Sequence, residues 1–157
     1  MKAALCKSLQ GPDGIVIEEV PDPVPGPGEA LVRVHAAGLN FLDTLITRGK
    51  YQYRPDLPFS PAGEISGVVE RLGPGTSGID VGQRVCAYLG WGGARELVTV
   101  NAAALIPLPQ GISHEVAAGI NITYGTAMHG LRVRGRLKPG ETVAVLGAAG
   151  GAGLAAV

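Results

Sequence analysis

The stretch from Thr142 to Val157 restricts the fold of this chain more than any other part of it. Thr142-Val143-Ala144-Val145-Leu146 is a continuous apolar run without alternation, the pattern of a parallel strand buried on both faces. Gly147-Ala148-Ala149-Gly150-Gly151-Ala152-Gly153 follows, and Leu154-Ala155-Ala156-Val157 reads as the beginning of a helix. Strand, glycine loop and helix start, in that order, are the setting of a dinucleotide-binding turn. Gly150 and Gly153 let the backbone approach a pyrophosphate and let helix pack closely on strand. The phosphate then sits where the unpaired amides of a helix N-terminus point outward. Counted from Ala148 the spacing is A-x-G-x-x-G, so alanine replaces the first glycine. On the pattern alone, an ordinary glycine-rich turn is the competing reading. The residue that would read the ribose, about 20 positions further on, lies beyond Val157, so the choice between NAD and NADP stays open.

Upstream, the chain reads as short strands broken by turns. Ile15–Val20 is a β-branched run that stops at Pro21. Pro21, Pro23, Pro25 and Pro27 lack the amide donor a ladder needs, so 21–28 is a rigid connector. Ala30, Val32, Val34 and Ala36 alternate with Leu31, Arg33 and His35, as in a half-buried strand. Further strands are expected at 64–72, 83–88 and 96–100, separated by Gly73-Pro74-Gly75 and Asp80-Val81-Gly82. This density of turns explains the 25 glycines and 12 prolines, and short strands at such spacing predict a small barrel or sandwich. Near residue 112 the character changes. Ser113 reads as an N-cap with Glu115 in the first turn, and helical stretches are expected at 115–119 and 122–131.

Composition excludes several partners. With 13 basic and 13 acidic residues the formal charge is zero, which leaves no electrostatic footprint for nucleic acid or an anionic membrane. No apolar run approaches the roughly 18 residues of a membrane span, and the N-terminus carries no signal-peptide pattern. Cys6 and Cys86 stand far apart in apolar runs, which fits a reduced, cytoplasmic setting better than a disulfide framework.

Four stretches together resemble the medium-chain dehydrogenase/reductase superfamily. They are Ala37-Gly38-Leu39-Asn40-Phe41-Leu42-Asp43, Pro61–Val69, Val81–Val85, and Pro139-Gly140-Glu141-Thr142-Val143 leading into the glycine loop. The resemblance implies a mixed α/β chain. Residues 1–112 would form a GroES-like β-barrel catalytic domain, and 113–157 the first strand, loop and helix of a Rossmann domain. The active site is then expected in the cleft between them. Zinc-dependent members hold their catalytic metal with a cysteine and a histidine where this chain has Asn40 and Gly63, and an amide and a bare glycine cannot replace them. After Cys86 there is no cysteine, so the family's four-cysteine structural lobe is missing too. The zinc-free branch is therefore expected, with no metal. Within it, G-L-N-x-x-D and A-A-G-G-x-G are similar to quinone oxidoreductases, which generally prefer NADPH; NADH is not excluded.

The resemblance implies hydride transfer from NADPH to a quinone. Alternatives are an enone or enoyl thioester acceptor, or a non-catalytic fragment or domain. It also implies a homodimeric parent that pairs through its Rossmann sheet. Asn40 would be a catalytic donor to the quinone oxygen or a support for the nicotinamide; by residue type alone it is a loop asparagine bonded to its own backbone. Tyr51 would stand at the pocket mouth, with Tyr53 competing for the assignment. Asp43 would organise the loop behind Asn40 or act directly. Glu64 reads as a solvated or locally paired carboxylate at a strand start. Asn121, Thr123 and Thr126 lie where the family meets the nicotinamide, Thr123 foremost, unless its hydroxyl only bonds back to a carbonyl. The cofactor-binding residues would be Thr123 with Gly147, Ala148, Ala149, Gly150, Gly151, Ala152 and Gly153. His35, His114 and His129 read as surface or satisfied histidines, and Trp91 as an exposed hairpin or a substrate-side wall. A lone strand at 142–146 would leave its faces and edges uncovered, so 142–157 is expected to be poorly ordered or aggregation-prone unless the rest of the chain or a neighbour covers it.

Overall fold

The computed structural model describes every residue from Met1 to Val157. Strand β1 (Lys2–Cys6) pairs antiparallel with β2 (Ile15–Glu19), Lys2 opposite Glu19 and Cys6 opposite Ile15. Five more strands follow: β3 (Glu29–Gly38), β4 (Glu64–Leu72), β5 (Arg84–Tyr88), β6 (Leu97–Asn101) and β7 (Ile106–Pro107). They form one antiparallel sheet in the order β6-β3-β4-β5-β7. The strands expected from alternation are all present, shifted by a residue or two at their ends. The connector 21–28 carries no ladder, as its prolines require.

Apolar residues facing inward from the central strands build the core: Ala30, Val32, Ile65, Val69, Val85, Ala87, Val98 and Val100, closed by Ile79 and Leu105. Burying each of the larger side chains contributes roughly 1.5–3 kcal/mol. A second, small cluster of Cys6, Ile46 and Phe59 fastens β1 to the short helix α1 (Phe41–Ile46).

The barrel expected from the strand count is open here. The larger sheet ends at β6 on one side and at β7 on the other, and single bridges, Ala3–Arg95 and Cys6–Phe59, tie β1 to flanking segments. The physical reason is local. β7 is two residues long and ends in Pro107, which has no amide to extend the ladder.

The helical region begins as expected. Ser113 caps α2 (His114–Ala117), its hydroxyl accepting from the Val116 amide at 3.3 Å. Beyond it, α3 (Gly125–Met128) lies between two wider, π-type segments, Ile120–Tyr124 and His129–Arg134. A second correction concerns Thr142–Leu146, which forms no strand; Leu146 is 93% exposed. A run of this kind becomes a strand only between neighbours that take its amides and cover its faces, and no other strand lies beside it. Helix α4 (Gly151–Ala156) does form after the glycine loop.

Candidate active site

Two of the sequence motifs meet at the start of α1. Asn40 has extended backbone angles and caps the helix, and its amide donates to Asp43 Oδ2 at 2.8 Å. The other oxygen, Asp43 Oδ1, accepts from the Ala62 amide at 2.8 Å. Asp43 is only 6% exposed, so this one carboxylate brackets the Asn40 turn to the Pro61–Gly63 turn. The bracket matters because Ala62 holds a left-handed φ of 70°, unusual for a residue with a Cβ. Both oxygens of Asp43 are thereby occupied by backbone amides.

Glu64 differs from its expectation. It is 1% exposed rather than solvated, and its partners are distant in sequence. Oε1 accepts from Asn40 Nδ2 at 2.9 Å, and Oε2 from the Ile122 amide at 3.0 Å. As the first residue of β4 it stands between Gly38 of β3 and Tyr88 of β5. Gly38 must be glycine there, because a Cβ would lie 2.3 Å from the Ala118 carbonyl oxygen and 2.7 Å from Glu64 Cγ. Glu64 thus joins the Asn40 side chain to the widened helical segment, whose geometry presents the Ile122 amide to it. The Asn40 carboxamide donates across the site to Glu64.

A cavity of about 340 Å³ is lined by Asn40, Tyr51, Thr123, Thr126, Gly151 and Ala152, among others. Residues singled out in the first half of the chain and in the glycine loop therefore share one wall-to-wall space. A neighbouring cavity of about 570 Å³ shares Tyr51 and Thr126 and adds Tyr88, Asn121 and His129. Asn121 Nδ2 is buried there without a hydrogen-bond partner. The Thr123 hydroxyl donates to the Gly119 carbonyl at 2.7 Å, so its remaining capacity is as an acceptor. Its methyl faces the loop: a Cβ on Gly151 would come within 3.0 Å of Thr123 Cγ2. Tyr51 is half-buried and meets Tyr53 edge-on at 5.7 Å.

Within the loop, Gly147 has φ +72°, and a Cβ on Gly153 would fall 2.1 Å from the Gly147 carbonyl oxygen. Only glycine permits that approach. Gly147, Ala148, Ala149 and Gly150 are exposed, so their backbone is open to a ligand. The loop fits a dinucleotide in this respect, with small residues where a phosphate would come close.

Nothing in the sequence singles out Tyr88. Partial burial, with the Tyr51 and Tyr53 phenols nearby, pushes its phenol up, so it stays protonated as a donor. Only its place opposite Glu64 in the sheet brings it to the cavity. The histidines lie in two places. His129 lines the larger cavity. His114 and His35 stack with ring centroids 4.6 Å apart on the other side of Ser66. There Ser66 Oγ lies 2.7 Å from His114 Nδ1 and donates to the Val85 carbonyl, while Arg84 Nε donates to His114 Nε2 at 3.4 Å. This order assigns the neutral imidazole with its proton on Nδ1.

Comparison with known proteins follows the same lines. The family model for the alcohol dehydrogenase GroES-like domain matches residues 26–110. Quinone oxidoreductase-like protein 2 of Rattus norvegicus is 41% identical over 157 residues, covering 99% of this chain and 44% of its own length. A crystal structure of a probable oxidoreductase from Mycobacterium abscessus superposes with a TM-score of 0.93 at 43% identity, over 99% of this chain and 50% of that one. The quinone oxidoreductase of Thermus thermophilus, solved alone and with NADPH, gives 0.86 at 40% identity, over 99% of this chain and 48% of that one. The chain thus spans about half the length of the proteins it matches.

Proposed function

The chain belongs to the family of alcohol dehydrogenase GroES-like domains, and from that membership we propose that it is part of a zinc-independent oxidoreductase moving hydride from NADPH to a quinone. Residues 1–112 are the acceptor-binding catalytic domain and 113–157 open the nucleotide-binding domain. The observation that carries this reading is the single cavity walled by Asn40 and Tyr51 on one side and by Thr123, Gly151 and Ala152 on the other.

The donor set argues against zinc at this place. Asn40 offers a carboxamide already bonded to Glu64, and an added Cβ at Gly63 would lie 2.9 Å from the Gly90 carbonyl oxygen. Neither residue resembles a thiolate or an imidazole. A quinone needs less help than an alcohol, since the charge arriving with hydride spreads into its ring. Hydrogen-bond donors in a fixed orientation suffice for such a reaction.

NADPH, when bound, supplies the hydride and its two electrons. The chain's own residues bind, orient and dry the site. Glu64 fixes one hydrogen of the Asn40 amide and turns the other toward the cavity, where it donates to an acceptor oxygen. Tyr51 offers a phenolic donor on the same wall, and Tyr88 another in the adjoining cavity. Thr123 keeps the helix in register beneath the loop. The proposed setting is cytoplasmic and the proposed parent a homodimer.

The test is an NADPH fluorescence titration and quinone turnover on the parent enzyme and its Asn40→Ala variant, with an alkenal as competing acceptor. Loss of an oriented donor lowers kcat by about 10²-fold; an unchanged kcat sinks the assignment. Preference for the alkenal moves the acceptor to the enone class. For the 157-residue chain alone a non-catalytic role is the second reading. It is favoured by the bare Thr142–Leu146 segment, and the same titration on this chain checks it.

A further inference from the structure

Away from that cavity, one buried cationic nitrogen has no partner. Arg95 Nε is buried and makes no hydrogen bond. The ion pairs of the protein are Met1–Asp22, Lys7–Glu18 and Arg33–Glu70, so no carboxylate lies within 4.0 Å of Arg95. The nearby Glu96 side chain is occupied with the Lys2 amide at 2.7 Å. Burial holds the Arg95 guanidinium below its ordinary range, with no anion to offset it. Nε is thus desolvated without a partner, a cost that an anion accepting from it would recover.

The backbone on either side of Arg95 is held in place. Ala94 is held by the Ala4 amide at 2.9 Å and by Ser60 Oγ at 3.0 Å, and the Glu96 amide by the Lys2 carbonyl at 3.1 Å. Arg95 is therefore presented from a sewn backbone into the wall between two cavities. One, of about 330 Å³, it shares with Trp91, Leu89 and Thr99. The other, of about 610 Å³, it shares with Trp91, Tyr53 and Arg54, with Asp56 as the one acidic residue on that wall. Two aromatic rings line these cavities with Arg95 and stay open to solvent, Trp91 at 40% and Tyr53 at 50% exposure. Their centroids are 6.4 Å apart, and Tyr53 continues the row to Tyr51.

We propose that Arg95, Trp91 and Tyr53 form a subsite for the anionic group of a flat organic acid, an aromatic carboxylate or sulfonate. Arginine presents a planar fork that matches either group, and the two rings offer faces to the flat part. That such an acid belongs to the hydride acceptor rests on the reading above; the anion site itself does not.

Trp91 is the only tryptophan, so its fluorescence reports the site directly. The probe is benzenesulfonate titrated into the full chain, with benzyl alcohol as its uncharged counterpart, in wild type and Arg95→Gln. Saturable change with benzenesulfonate, at least about tenfold weaker binding of the alcohol and about tenfold weaker sulfonate binding in R95Q are expected. The near-UV spectrum of R95Q should match wild type, and Arg95→Lys, which keeps the charge but not the fork, should fall between. No saturable response in wild type, or equal sulfonate affinity in a folded R95Q, overturns the proposal. Because no nucleotide and no turnover are involved, failure here leaves the oxidoreductase reading standing, and the reverse holds too.

Discussion

Replacing Asp43 by asparagine should loosen the whole front of the site, and its size can be worked from two hydrogen bonds. The carboxylate accepts from the Asn40 and Ala62 amides, both at 2.8 Å. Hydrogen bonds to a charged group contribute roughly 1.5–3 kcal/mol each. Asparagine keeps the shape but has one acceptor oxygen, so one amide must face an NH₂ group. Ala62 is wholly buried and already strained at φ 70°, so a lost bond there finds no water to replace it. The net cost of D43N is about 2–3 kcal/mol, and of D43A, which loses both bonds, about 3–5 kcal/mol. Against a domain stability of about 5–15 kcal/mol the second is severe. In urea, with a slope of about 1–3 kcal/mol/M, D43N should move the midpoint down by about 1 M. A D43N midpoint within about 0.3 M of wild type, slope unchanged, would refute the bracket as an energetic device.

Glu64→Gln leaves one acceptor for the Asn40 and Ile122 donors, so the parent's kcat for a quinone should drop about tenfold with a smaller change in KM; equal effects on both would point to general unfolding. Gly153→Ala places a methyl against the Gly147 carbonyl oxygen at 2.1 Å, and should weaken NADPH binding at least about tenfold while the urea midpoint of the β-sheet region stays put. His114 is depressed below its ordinary 6.5, first by burial, then by His35 and Arg84. The unfolded chain therefore takes up its proton first as pH falls below 6.5. Stability is full above that value and declines through the window beneath it, and His114→Gln should flatten the decline in urea midpoint; an equal decline in both proteins would contradict this. Amides of Thr142–Leu146 should exchange freely in isolated monomer, and strong protection would show a ladder where the structure has none.

The strands are legible in the sequence because alternation is a local property. Ile65 and Val69 reveal their inward face within β4 alone. Ser113 likewise announces its cap within a turn. Closure of the barrel is not legible, since it depends on how far β7 extends, and Pro107 stops it after two residues. Thr142–Leu146 carries every mark of a buried strand, but a ladder is a property of pairs, and its own composition cannot provide the second member. Glu64 escapes sequence reasoning on similar grounds. Its acceptor oxygens are filled by Asn40, 24 positions away, and by Ile122, 58 positions away, and nothing next to it in sequence signals either bond. Asn40 itself is found through its motif, not through its chemistry.

The bonds from Asn40 and Asp43 to Glu64 and Ala62 pin both ends of the segment between α1 and β4, which carries Tyr51 and Tyr53. That segment behaves as a cassette in a fixed frame. Doubling the length of a tethered loop costs only about 0.6 kcal/mol of closure entropy, far less than cutting either tether. Such a chain can exchange the aromatic contents of the cassette across many generations without rebuilding the sheet that holds the frame.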